Sequence, residues 1–161
     1  AEIGDVYVCA ERKSDRLRVF RVAPDGTLAD VTGETATVEE PMGLSLYRRP
    51  KDGAIFAVVS PKTGPATGYL AWYRLTPRGG KVDATFVARA GAYSGRKEIE
   101  SILVDDDRGT VWYSDETFGN RAVPADPDAS GFGRQLAFLN SRGWQGDHEG
   151  IALVERGSGG Y

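Results

Sequence analysis

One cysteine, one histidine and one methionine in 161 residues leave several kinds of chemistry without their residues. Cys9 alone cannot close an internal disulfide, and His148 alone cannot supply a zinc site of several imidazoles. A cysteine-dependent phosphatase needs a thiolate followed six positions later by arginine, and Asp15 stands in that place after Cys9. No apolar run approaches the roughly 20 residues of a membrane-spanning helix, so no transmembrane segment is expected. Twenty basic against 23 acidic side chains give a net charge of −3. That balance provides no general positive field for a nucleic-acid backbone. Glycine clusters lack the lysine or the strand-to-helix setting of a nucleotide loop, and no segment sustains a helical period.

Turn residues and short apolar stretches are plentiful instead. Twenty-one glycines, 8 prolines and 10% aromatics suit many short strands. Alternating or short apolar runs predict strands at Asp5–Ala10, Arg16–Val22, Gly43–Tyr47, Ala54–Ser60, Tyr69–Leu75, Ala84–Ala90, Ile99–Val104, Val111–Ser114, Gln135–Leu139 and Gly150–Val154. Asp25-Gly26, Asp52-Gly53, Gly79-Gly80 and Arg108-Gly109 mark the turns between them. The fold class is all-β.

Three segments share one layout: Met42-Gly43-Leu44-Ser45-Leu46, Glu100-Ser101-Ile102-Leu103-Val104 and Glu149-Gly150-Ile151-Ala152-Leu153, spaced 58 and 49 residues apart. That spacing is near the roughly 40–50 residues of a four-stranded propeller blade. It predicts Gly43–Leu46, Ser101–Val104 and Gly150–Leu153 as inner strands of successive blades; a meandering β-sandwich would show similar spacing. The chain starts at Ala1 without an initiator methionine and ends on the turn-like Gly157-Ser158-Gly159-Gly160-Tyr161. The expectation is one partial domain over residues 1–161, truncated at both ends and marginally stable alone.

In a propeller, residues at equivalent repeat positions reach the same height around the axis, which groups Glu100 with Glu149. Asp147 lies two residues before Glu149, and Asp115-Glu116 follows the strand Val111–Ser114. Carboxylates gathered without equal positive charge need raised pKa values or a hard cation such as Ca²⁺; the alternative is turn acids on a solvated face. Arg12, Lys13, Lys62 and Lys97 sit at strand ends beside these acids, where a phosphate would find a guanidinium fork or an ammonium. His148 alternates to the opposite side from Asp147 and Glu149 and reads as a packing or outward residue. Asp105-Asp106-Asp107 reads as a hairpin turn, because Thr110 replaces the glycine a calcium-binding helix–loop–helix requires at its sixth place.

The run Lys97-Glu98-Ile99-Glu100-Ser101-Ile102-Leu103-Val104-Asp105-Asp106-Asp107-Arg108-Gly109, with Val111-Trp112-Tyr113-Ser114-Asp115-Glu116, resembles the β-propeller phytases and related bacterial phytase-domain proteins. Ala125-Asp126-Pro127-Asp128, Asp147-His148-Glu149-Gly150-Ile151, the stretch from Glu40 to Tyr47, and Gly53–Ser60 with Lys62-Thr63-Gly64 continue the resemblance in order. It implies a six-bladed propeller of four-stranded antiparallel blades, about half of it present here. It further implies a secreted, periplasmic or cell-surface calcium-dependent phosphomonoesterase that removes phosphate from phytate through a metal-activated water. Glu100, Glu116, Asp147 and Glu149 would ligate Ca²⁺, Arg12 and Lys62 would hold substrate phosphate, and Glu100, Glu149 and Lys62 would carry catalysis. Met42 replaces a phosphate-contacting tyrosine of well-known members, and Ser101 replaces the glycine after the first channel glutamate. Two other readings accompany this one: a non-catalytic propeller that binds a protein partner at a bacterial cell surface, and a calcium-dependent propeller lactonase or esterase.

Overall fold

The computed structural model of the chain describes residues 4–146 and 148–154. The described residues contain no helix and twelve strands: β1 Val6–Glu11, β2 Arg16–Val22, β3 Leu28–Asp30, β4 Thr32–Thr35, β5 Pro41–Arg48, β6 Ile55–Pro61, β7 Thr67–Arg78, β8 Lys81–Ala92, β9 Ile102–Asp105, β10 Thr110–Asp115, β11 Gly119–Pro124 and β12 Ala137–Asn140. They form three sheets, ordered β1-β2-β3, β4-β8-β7-β6-β5 and β12-β11-β10-β9. All neighbours are antiparallel except β4, which runs parallel to β8.

The turns fall where glycine was expected to permit them. Gly79 and Gly80 both take positive φ in the two-residue connection between β7 and β8, the geometry that matches hairpin twist. Asp105–Gly109 closes the β9–β10 hairpin, with the Arg108 N–H donating to Asp105 Oδ1 at 3.0 Å, so the acidic triplet is a turn.

Two apolar layers stack the sheets. Val8, Leu17 and Val19 of the first sheet meet Ala57, Val59, Ala71 and Tyr73 of the second. The opposite face of that second sheet, carrying Phe56, Val58, Leu70 and Trp72, packs on Val111, Tyr113 and Val123 of the third. Being covered on both faces, β6 and β7 are near-continuous apolar runs, as the burial of both pleat faces requires. In β1, which has one packed face, Val8 is buried and Tyr7 exposed. Trp72 is fully buried and donates from Nε1 to the Ala125 carbonyl at 2.9 Å, tying the second sheet to the segment after β11.

β1, β5 and β9 are each an edge of their sheet, and β5 lies between β1 and β9, in contact with both. The expected inner strands at Gly43–Leu46 and Ser101–Val104 therefore fall on β5 and β9, edges of successive sheets. The expected strand at Gly150–Val154 is not formed: residues 148–154 have no ladder partner and are irregular and largely exposed. Uniform four-stranded blades are not formed either, since the sheets hold three, five and four strands, and the described residues do not close into a ring.

Away from the loops that hold the candidate residues, Arg49 fastens the second sheet to the third. It is 5% exposed and donates two bonds to Asp52, one to Asp126 at 3.0 Å and one to Asp128 at 2.5 Å, with its guanidinium over Phe56. Hydrogen bonds from Arg49, then from the Ala54 N–H, hold the Asp52 carboxyl well below its usual range. Burial pushes Asp126 up, but the Asp128 N–H, Lys51 and Arg49 outweigh it and its pKa is lowered. Arg49→Met should cost about 2 kcal/mol at neutral pH, between the values for exposed and buried pairs because the carboxylates are partly solvated. Depressed carboxylate pKa values confer stability above the unfolded value near 4 that is lost as pH falls through the folded value. Denaturant titrations should thus show the gap between wild type and Arg49→Met narrowing below about pH 4.

Candidate functional site

Antiparallel meanders send alternate connections to opposite ends of a sheet, and specific contacts show which ends coincide. Asp15, in the β1–β2 turn, accepts from the Val38 N–H at 2.8 Å through its carbonyl and from the Glu40 N–H at 3.0 Å through its carboxylate. Glu40 in turn accepts from the Lys62 N–H at 2.9 Å. Lys62 Nζ lies 3.7 Å from Glu98, and Ser94 joins the end of β8 to Asp115 at the end of β10. The β1–β2, β6–β7, β8–β9 and β10–β11 connections therefore share one end of the three sheets. Arg12, Lys62, Glu100 and Glu116 all sit there. So do Asp15, Glu40 and Thr117, the non-glycine residues with positive φ among those described. Thr117, at φ 60, is β-branched, and such a residue occupies the left-handed region only under strain.

Asp115 organises the centre of this end. It is fully buried, accepts from the Ser94 N–H at 2.9 Å and hydroxyl at 2.6 Å, and accepts from Arg121 Nε at 2.9 Å. Arg121 is 8% exposed, donates to Gln135 at 2.7 Å and lies over the rings of Phe118 and Phe138. Glu116, next along the chain, is also buried, at 3% exposure.

Beside these acids lies a cationic depression of about 360 Å³ lined by Lys62, Thr63, Tyr93, Arg96, Lys97 and Glu98. Arg96 is fixed by the Thr117 carbonyl at 3.4 Å and by the Phe118 ring beneath its guanidinium. Tyr93 stacks on Tyr69 with centroids 4.1 Å apart, and the Tyr69 hydroxyl donates to the Pro61 carbonyl at 2.5 Å, buttressing the Lys62 loop. Burial pushes the Tyr93 phenol up, and the charges of Asp115, Glu98 and Glu116 push it further. It stays a neutral hydrogen-bond donor at physiological pH.

The residues expected to bind calcium and phosphate are placed unevenly. Lys62 joins Arg96 and Lys97 in the depression. Arg12 is exposed in the β1–β2 turn. Glu100 is exposed in the loop before β9 and Glu116 is buried after β10. Glu149 is exposed in the irregular segment after β12, and Asp147 lies outside the described residues. Among the described residues no three carboxylate, histidine or cysteine side chains gather in a way that could hold a metal ion. His148 is half-buried, with its ring edge-to-face on Trp144 at 4.7 Å.

Sequence reasoning missed Arg96, Tyr93 and the Asp115–Arg121 pair. The Arg96-Lys97 doublet was a visible signal, because a cation beside one already considered shares its loop. No family model matches the chain, and no curated protein matches it. No helix among the described residues is long and apolar enough to cross a membrane.

Proposed function

We propose that the chain forms part of a β-propeller phosphomonoesterase of the calcium-dependent phytase kind, in which stacked sheets are successive blades and the loop end described above faces the substrate. The observation that carries this reading is the cationic depression of Lys62, Arg96 and Lys97 set against the buried Asp115 and Glu116. A phosphorylated polyol fits it by chemistry: guanidinium and ammonium groups complement phosphate oxygens, and the Tyr93 hydroxyl supplies a neutral donor. Calcium ligation by Glu100, Glu116, Asp147 and Glu149, with Ca²⁺ supplying an activated water, belongs to the same proposal. The described residues do not by themselves assemble that ligand set, so no catalytic step is derived through the ion.

The same cationic depression also suits a second reading, a propeller that binds phosphorylated or acidic partners without hydrolysing them. Calorimetry with inorganic phosphate, phytate and Ca²⁺, beside an assay of phosphate release, separates the two when run on the complete propeller of which this chain would form about half, since the chain alone is expected to be inactive. Lys62→Ala and Arg96→Ala are each expected to weaken phytate binding about tenfold, the value of one charge-assisted hydrogen bond, with the loss shrinking at high salt. Calcium-dependent phosphate release supports the enzyme. Tight phytate binding without release, with or without calcium, supports the binding module, and no phytate affinity overturns both.

A further inference from the structure

Ser60 and Ser114 occupy the same place in two sheets, and only one of them has its partners. Ser60 stands one residue before the end of β6, beside the irregular register between Pro41 and Leu44 of β5; its hydroxyl accepts from the Gly43 N–H at 2.9 Å and donates to the Ile99 carbonyl. It thereby latches the segment that leads into β9 onto the second sheet. A Cβ at Gly43 would stand 2.4 Å from the Glu100 carbonyl oxygen, so the incoming backbone rests on the glycine itself.

Ser114, the last residue but one of β10, donates its N–H to the Ser101 carbonyl at 3.0 Å, just before β9, and pairs with Asn120 of β11. Ser101, Ser114 and Asn120 form one cross-strand row facing away from the second sheet, as Gly43 and Ser60 face away from the first. Ser101 is 6% exposed and Ser114 fully buried. The Ser101 and Ser114 hydroxyls and Asn120 Oδ1 are enclosed with no hydrogen-bond partner among the described residues. Buried polar atoms of this kind are rare without a partner that completes them.

We propose that this row is the docking bed for the chain's own segment His148–Val154. The Ser114 hydroxyl would latch the His148 carbonyl as Ser60 latches Ile99, and Ser101, standing where the second sheet has glycine, would limit how closely the segment seats. The sequence supports the pairing of positions, since His148-Glu149-Gly150-Ile151 repeats Ile99-Glu100-Ser101-Ile102. Docking carries Glu149 to the loop end beside Glu100, a consequence for the site that rests on the function proposed above; the docking itself does not.

Native-state hydrogen exchange on the chain without ligands tests this independently of calcium or phosphate binding. Ser101→Gly should slow exchange of the Ile151–Leu153 amides about tenfold, the scale of one hydrogen bond, and adding Ser114→Ala should abolish the gain. Ser101→Ala, which keeps the Cβ, should give no gain. Ser60→Ala should speed exchange in β9 while sparing the centre of β7. Unchanged exchange at Ile151–Leu153 in Ser101→Gly, or a gain that survives Ser114→Ala, overturns the proposal.

Discussion

Asp115→Ala is expected to lower the unfolding free energy by about 3–5 kcal/mol, the cost of removing one partner from a buried ion pair. The carboxylate is fully buried and accepts three hydrogen bonds, two from Ser94 and one from Arg121. Its loss strands a guanidinium that is 8% exposed and whose other neighbours are the Gln135 amide and two phenyl rings. Alanine also frees the Ser94 loop, and with it Arg96 at the edge of the cationic depression. Phytate affinity should therefore fall together with stability. Arg121→Met in the same background should recover part of the loss, because an apolar chain of similar length removes the stranded charge. Urea titrations of the two single variants and the double variant measure the coupling. Costs that simply add would show that Asp115 and Arg121 do not act as a pair.

The Asp115–Arg121 pair also shows where the sequence stopped being readable. Strands facing two apolar layers announced themselves: β6 and β7 are long apolar runs because both faces are covered, and β2 coincides with the stretch read from its alternation. β11 did not, because its buried face is built around Arg121, and a charge at a core position reads as an interruption unless its partner is known. β3 is short and exposed and β4 short and only half-buried, so no hydrophobic pattern marked them. Gly150–Val154 erred in the other direction: its apolar pattern is that of a strand, but a strand needs a neighbouring ladder, and pattern alone does not supply one. At the candidate site, the ends of strands were legible, which placed Arg12, Lys62, Glu100 and Glu116 at one end. Which of them converge depends on loop conformation. The strained Thr117 and the Ser94–Asp115 bonds set that conformation through contacts 21 residues apart in the chain.

Gly43→Ala should be nearly as damaging, at about 3 kcal/mol, the upper part of the range for overpacking a closed interior. The added methyl would stand 2.4 Å from the Glu100 carbonyl oxygen, 2.9 Å from its carbonyl carbon and 3.0 Å from Ser60 Oγ. Two of these atoms are backbone and cannot swing aside as a side chain would. Relief requires the loop before β9 to withdraw from β5, which breaks the bond from Ser60 to the Ile99 carbonyl and begins to expose Ile99, a fully buried side chain. The damage should be directional. Hydrogen exchange should accelerate in β9 and in the loop carrying Glu98 and Glu100, while β1 and β2, packed on the other face of the second sheet, keep their protection. Ser60→Ala should reproduce the loosening of β9 at smaller cost, because it removes the latch without the clash. Uniform acceleration across all three sheets in Gly43→Ala would mean that the glycine supports the whole fold and not the seating of one sheet on the next.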